Sequence, residues 1–564
     1  MLLPAQKTRL SAAATAAALC FAGLILRDTI RFGVDVPFWD LWDYVRYLRH
    51  LSTGELSWPG LLFARLGEHQ IGMELAMSAF AWRLTSMHMP ALMVWNWVTA
   101  ALFCALAMLV TRRALAGSAV PWVVLAAAAF FVFNPAAYQV WLWALPLVHL
   151  LVPLMLLAGV WTAQANLSAR LRILAAGALA LAASFLLGSG LLLWGLFPLA
   201  ISPYVKPREW RRERLASAVY ALLLAVSVAT YASGMIGRGG PVPGDASRIA
   251  VAAHFFLAYT GNFTSLTLAP AVTLATLAGA ALALLFAAGA ALAWARFRRT
   301  PQWPALAVWL SVGLYGFLSG GLTALARHGF GVAYAVESSR YVLASAFLPL
   351  ACVAMGSVMA AGLPRGRLRA AVACGVAGVL AAGFAARVLQ TPRSRILMNH
   401  AHASYLAGKV AVAAVNAVDL PQFRNIYSTD NRADFELSAN WLNRRGWLRP
   451  PLWDERFARR LARPGLLPRP AFGRIAQASL TEGRLRLSGS AHLADAGDDA
   501  HAVIVAAVRG GEAKILAVFF PERVPGHPWS GEIAAAFEPG AAIRCFAYDA
   551  VTGQAHLLAG ERTL

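Results

Sequence analysis

Apolar runs of about eighteen residues or more recur along this chain between residue 10 and about residue 387. As a helix, such a run covers the roughly 30 Å of a bilayer's hydrocarbon core. A chain built from many of them has little choice but to fold as a helical membrane protein. Its composition agrees: 59% of the 564 residues are hydrophobic and 13% are charged, against about 25% charged in soluble domains.

The formal net charge is +22. On a soluble protein that balance would point to nucleic acid. Here the basic residues cluster in short loops between apolar runs, which is the positive-inside pattern of an inserted chain. Membrane lipids are therefore expected as partners, and nucleic acid is not. The spacing predicts about eleven transmembrane helices, at about 10–26, 89–111, 117–134, 147–164, 172–188, 190–204, 215–233, 265–294, 304–323, 342–361 and 369–387. With the N-terminus in the cytoplasm, Arg112 and Arg113, Arg170 and Arg172, the Lys206–Arg214 cluster, Arg296 to Arg299 and Arg365 to Arg369 all fall on the inner side. An odd number of spans puts the C-terminus outside. The first run follows Lys7 and Arg9 as a signal peptide would. Arg27, Asp28 and Arg31 come directly after it without a convincing cleavage site, so it is read as an uncleaved first helix.

Residues 1–387 are thus expected to form the membrane domain, 388–465 a mixed, partly helical outside region, and 466–564 a β-sandwich. The strand reading rests on alternation in Arg484–Leu487, Ala502–Val508 and Ile515–Phe520, with Gly-rich turns between. Four of the five cysteines lie in apolar runs and Cys545 stands alone in the tail, so no disulfide framework and no CxxC metal motif is present.

Long outside connections and short inside ones place the chemistry outside. They span about 27–88, 234–264 and 324–341. The first holds Asp35-Val36-Pro37-Phe38-Trp39-Asp40-Leu41-Trp42-Asp43. If Pro37 opens a helix, Asp40 and Asp43 share one face. One of these carboxylates could act as general base beside sugar-stacking Trp39 or Trp42, its pKa raised by the aromatics. The alternative is an interfacial helix with tryptophans as belt anchors and solvated aspartates. Glu68-His69-Gln70 follows in the same connection and could complete a polar site. A divalent cation there is a secondary reading, because adjacent residues point apart; no metal ligand set and no cofactor is assigned.

The third connection carries Arg327-His328-Gly329-Phe330-Gly331 and then Arg340-Tyr341. Two arginines on the outside run against the positive-inside tendency, and the guanidinium fork suits phosphate oxygens. Snorkelling at the interface is the alternative. His149 and His254, alone on apolar stretches, are read as packed or interfacial. No P-loop, GxGxxG with a following acid, GxSxG or HExxH occurs.

An aspartate just after the first helix, many spans and an outside C-terminal domain resemble the GT-C superfamily of glycosyltransferases. That group includes the protein O-mannosyltransferases and the aminoarabinose lipid A transferases. The nearer similarity is to poorly characterised bacterial members with Pro-Phe-Trp-Asp-x-Trp-Asp followed by Asn-Glu-His-Arg. Here the first motif stands at Pro37–Asp43. The second reads Gly67-Glu68-His69-Gln70 and departs at both ends. Gly188-Ser189-Gly190 and Arg340-Tyr341 are also similar to that group.

The resemblance implies an inverting enzyme of the bacterial plasma membrane with a polyprenyl-phosphate sugar donor and an outside lipid, glycan or protein acceptor. It implies Asp40 as base, with Asp35 or Asp43 as substitutes. Arg340 and Arg327 would hold the donor phosphate, Glu68 and His69 would orient substrate, and Tyr341 would lie beside Arg340. The rival readings are a lipid-linked glycan flippase or transporter and an O-antigen ligase-like enzyme. A translocation path would favour charges in mid-membrane, and the helix centres are nearly free of them.

Overall fold

The computed structural model of the protein describes residues 4–67, 69–144, 148–235, 246–264, 271–427, 431–493, 498–522, 528–534 and 540–563. It is 68% helical. The chain divides into two compact units. One comprises Met1–Phe32, Leu56–Ala81 and Ala91–Met398; the other comprises Gly33–Glu55, Trp82–Pro90 and Asn399–Leu564.

Among the described residues, seven helices are long and apolar enough to cross a membrane: Ala5–Phe32, Met89–Ala114, Arg214–Ser233, Ala271–Phe297, Trp303–Phe330, Arg340–Gly362 and Arg367–Ala413. The helices Val120–Val132 and Pro135–Leu142 meet at a 44° bend and make an eighth if taken as one span. Shorter apolar helices run over His149–Ala163, Gly188–Ala200 and Arg248–Thr260, and a further helix runs over Ala169–Ser184.

The second expected outside connection is partly helical, over Ala246–Thr260. Arg248 and His254 hide it from a hydropathy reading. Close packing against Ala271–Phe297 makes it fold: a Cβ on Gly279 would fall 1.9 Å from the Leu257 carbonyl oxygen, so only glycine lets the two backbones approach this closely. The last long helix, Arg367–Ala413, continues well past residue 387, where its apolar pattern breaks. Arg387 sits at that break and is buried. Its guanidinium donates to the carbonyls of Phe130 (2.6 Å) and Phe133 (2.9 Å), carbonyls that the end of helix Val120–Val132 leaves without intrahelical partners. The charge is satisfied without leaving the helix, so the helix does not stop.

In the second unit, helix Asp40–Thr53 packs against helix Arg432–Arg444. Beyond them lie a five-stranded and a four-stranded sheet, with every strand pairing antiparallel. Two tight hairpins set the register. Glu482-Gly483 joins Gly473–Thr481 to Arg484–Leu493, and Gly510-Gly511 joins Ala502–Arg509 to Glu512–Phe519. All four turn residues have positive φ, as two-residue hairpin turns of the primed type require.

The sheets contribute to one core, with Leu485, Leu487 and Ile533 from one and Val503, Val505 and Ile543 from the other. Strand Ala502–Arg509 is buried on both faces, because helix Glu455–Ala462 also packs against its sheet. Trp453 and Phe457 meet Tyr548 edge-on, at 5.1 and 6.1 Å.

Candidate functional site

The carboxylate segment belongs to the second unit. Asp35 accepts the Met89 amide at 2.8 Å. The Trp42 indole donates to the Pro37 carbonyl at 2.9 Å, closing the turn that starts helix Asp40–Thr53. Trp42 is 1% exposed, with Phe435 edge-on at 4.7 Å and Tyr427 at 6.3 Å. The sugar-stacking face expected of Trp42 is thus spent on its own core, since an aromatic ring packed on both sides offers no platform to a ligand.

Trp39 differs. It is half-buried, its ring stacks on Phe38 at 5.1 Å, and its backbone has φ 49°. A bulky residue at positive φ costs about 1–3 kcal/mol and persists where its surroundings hold it; here the Trp39 amide donates to the Ile426 carbonyl at 2.6 Å.

The helix begins at Asp40, not at Pro37. Asp40 is half-buried at a helix N-terminus, where the backbone dipoles favour a carboxylate. Asp43, one turn on, pairs with Arg46 at 2.9 Å and takes a hydrogen bond from Tyr427. Asp434 binds Arg49 at 2.5 Å and lies 3.6 Å from Arg46. Burial, reinforced by neighbouring Asp434, raises the Asp43 carboxyl above its ordinary value, against the pull of Arg46 and Tyr427. Asp35 and Asp43 are therefore built into the frame around the segment: Asp35 holds the first amide of helix Met89–Ala114, and Asp43 ties Arg46 of its own helix to Tyr427.

The first unit gathers a second set of polar groups from five separate stretches of chain. Arg340 opens helix Arg340–Ser345, and its Nη2 donates to the Tyr334 hydroxyl at 2.8 Å. Its guanidinium lies 5.5 Å from the Tyr341 ring. Tyr341 is buried, 5.1 Å from Tyr259 and 6.0 Å from Tyr334, and Arg327 is close enough to act on it electrostatically. Arg340 and His69 both act on His149 in the same way. His69 lies on the small hairpin Arg65–Leu66/His69–Gln70, with its Nδ1 3.3 Å from where a Gly188 Cβ would stand. Ser189 shares a hydrogen bond with the Tyr315 hydroxyl at 3.0 Å. A Cβ on Gly190 would fall 1.9 Å from the Ala183 carbonyl oxygen, so this turn needs glycine to fold back on its own helix.

Arg340, Tyr341, Arg327 and His69 from the sequence reading thus share one unit and one neighbourhood. Glu68 lies outside the described residues. His149, Tyr259, Tyr315 and Tyr334 were not singled out as site residues; each is a lone polar residue in an apolar helix or beside a Gly-rich turn, and only the packing of helices brings them to Arg340. Among the described residues no group of three or more His, Cys, Asp or Glu could hold a metal ion.

Compared with family models, curated proteins and solved structures, the chain matches none.

Proposed function

We propose that the chain is an integral membrane glycosyltransferase of GT-C type, moving a sugar from a polyprenyl-phosphate donor to an acceptor on the extracytoplasmic side. The observation that carries the reading is the convergence around Arg340. Arg340, Arg327, two histidines and several tyrosines come together in the unit that carries helices apolar enough for a bilayer. Fork-shaped cations and hydroxyl donors are the groups that bind phosphate oxygens, and their setting suits a phosphate carried by a lipid.

In this reading Arg340 and Arg327 neutralise the donor phosphate, which leaves with the lipid as the glycosidic bond breaks. The acceptor hydroxyl needs a base to take its proton as it attacks, and Asp40 is the residue that the resemblance implies for that role. The two C-terminal sheets are read as a β-sandwich for acceptor recognition.

The reading is tested with purified protein in nanodiscs and a radiolabelled polyprenyl-phosphate sugar. Release of free polyprenyl phosphate and movement of label to a membrane-extract acceptor are expected. Flipping of intact donor without release would favour the transporter reading.

The finer topology belongs to the same proposal: eleven spans, N-terminus inside, C-terminal unit outside. Reporters inserted within Lys206–Arg214 and fused after Leu564 should give opposite signals. The same signal at both places would remove the scheme.

A further inference from the structure

Residues 456–474 carry six arginines and no acidic residue. Arg456, Arg459, Arg460, Arg463, Arg469 and Arg474 are all exposed. Other arginines of the same unit are matched: Glu532 takes Arg484 and Arg486, and Glu561 takes Arg544. Among the described residues, none of the six forms an ion pair, so the stretch carries positive charge that no described carboxylate of the chain neutralises, three of it on the outward side of one helix.

The geometry of the stretch is fixed. Helix Glu455–Ala462 is capped by Asp454, whose carboxylate accepts the Phe457 amide at 2.9 Å. It buries Phe457, Leu461 and Ala462 and leaves Arg456, Arg459 and Arg460 outward. The chain then turns at Pro464-Gly465, with Gly465 at φ 74°. Both ends of the turn are anchored: Arg544 donates to the Leu461 and Arg463 carbonyls at 3.5 and 3.4 Å, and the Arg469 amide donates to the Leu557 carbonyl at 3.1 Å. Between the anchors Leu467 is held 78% exposed. No other large hydrophobic residue described is as exposed, including those on the membrane-competent helices. An apolar tip bracketed by Arg463 and Arg469 is unfavourable in water and has the form of a membrane-inserting loop.

We propose that this face is a docking surface for anionic lipid, with the arginines on headgroup phosphates and Leu467 in the headgroup–acyl boundary. Two features favour lipid over a soluble polyanion. A polyanion would use the arginines but leave Leu467 in water, whereas a lipid surface takes both. The unit is also covalently attached to helices apolar enough for a bilayer, so an anionic surface is present at high effective concentration. The proposal is independent of the catalytic reading.

The test uses the full chain in nanodiscs, on a Cys20→Ala/Cys374→Ala background that removes the two exposed thiols. Leu467→Cys carries an environment-sensitive fluorophore, and Val551→Cys, also on an exposed apolar site, is the control. Nitroxide-bearing lipid should quench the label at 467 in discs rich in phosphatidylglycerol, more than in phosphatidylcholine discs and more than at 551. Arg459→Gln, Arg460→Gln and Arg463→Gln combined should remove most of that difference, at roughly fivefold in surface affinity per arginine, as should high salt. Equal quenching in both lipids, or at both positions, would overturn the proposal. So would a label at 467 that responds to soluble polyphosphate but not to lipid composition.

Discussion

Asp40→Asn is expected to lower sugar transfer by about 10²–10⁴-fold, the usual worth of a general base, while folding and donor binding stay near wild type. Asparagine keeps the size and hydrogen-bonding reach of the side chain and loses the ability to take a proton. Asp40 is the first residue of helix Asp40–Thr53, where the interaction of its charge with the helix N-terminus is worth about 0.3–1 kcal/mol. The neighbouring carboxylates should behave differently. Asp35 holds the Met89 amide and Asp43 holds Arg46 and Tyr427, so Asp35→Asn and Asp43→Asn should act first on thermal stability.

Single-turnover transfer, donor binding and thermal unfolding of the three variants separate these effects. The pH profile gives an independent check. A base must be deprotonated to act, and Asp43 has a raised pKa. If Asp43 were the base, the acid limb of activity would be displaced upward from the ordinary carboxylate range, and Asp43→Asn would remove it. Full turnover in Asp40→Asn would end the assignment of Asp40.

Arg340→Ala is expected to weaken donor binding by about a hundredfold or more, the scale for truncating one partner of a buried charged pair. Arg340→Lys should recover only part of that loss. Alanine removes the charge, the planar fork and the bond to the Tyr334 hydroxyl. Lysine restores a point charge without the fork. Tyr334→Phe, which leaves the charge and removes one hydrogen bond of the guanidinium, should give a smaller loss in the same direction. The measurement is equilibrium binding of a polyprenyl-phosphate sugar in nanodiscs, with unfolding temperature as the control for structure. Undiminished affinity in Arg340→Ala would make Arg340 an interfacial anchor.

The membrane-competent helices were legible because their signal is local: the number of apolar residues in a row decides whether a segment can cross about 30 Å. Strands such as Arg484–Leu493 and Ala502–Arg509 were legible for a similar reason, since alternation and glycine turns are written in adjacent residues. The ends of elements were harder. Arg387 broke the apolar pattern of its helix, and nothing nearby in sequence shows that its charge is met by carbonyls near residue 130. The fates of the two tryptophans were equally hidden. Trp39 and Trp42 look alike in the motif, yet the partners that bury Trp42 are Tyr427 and Phe435, almost four hundred residues away.

The candidate site divides along the same line. The sequence alone picked out the carboxylate segment and the Arg340-Tyr341 pair, because charges at the ends of apolar runs need a reason to be there. Only the tertiary structure decided that Asp35 and Asp43 are engaged in the frame, and that His69, His149, Tyr259, Tyr315 and Tyr334 belong with Arg340. The physical reason is range. Insertion, helicity and turn formation depend on neighbours within a few residues. The partner that satisfies a buried charge, or the ring that covers a tryptophan, is set by how whole helices pack and leaves almost no trace at the position itself.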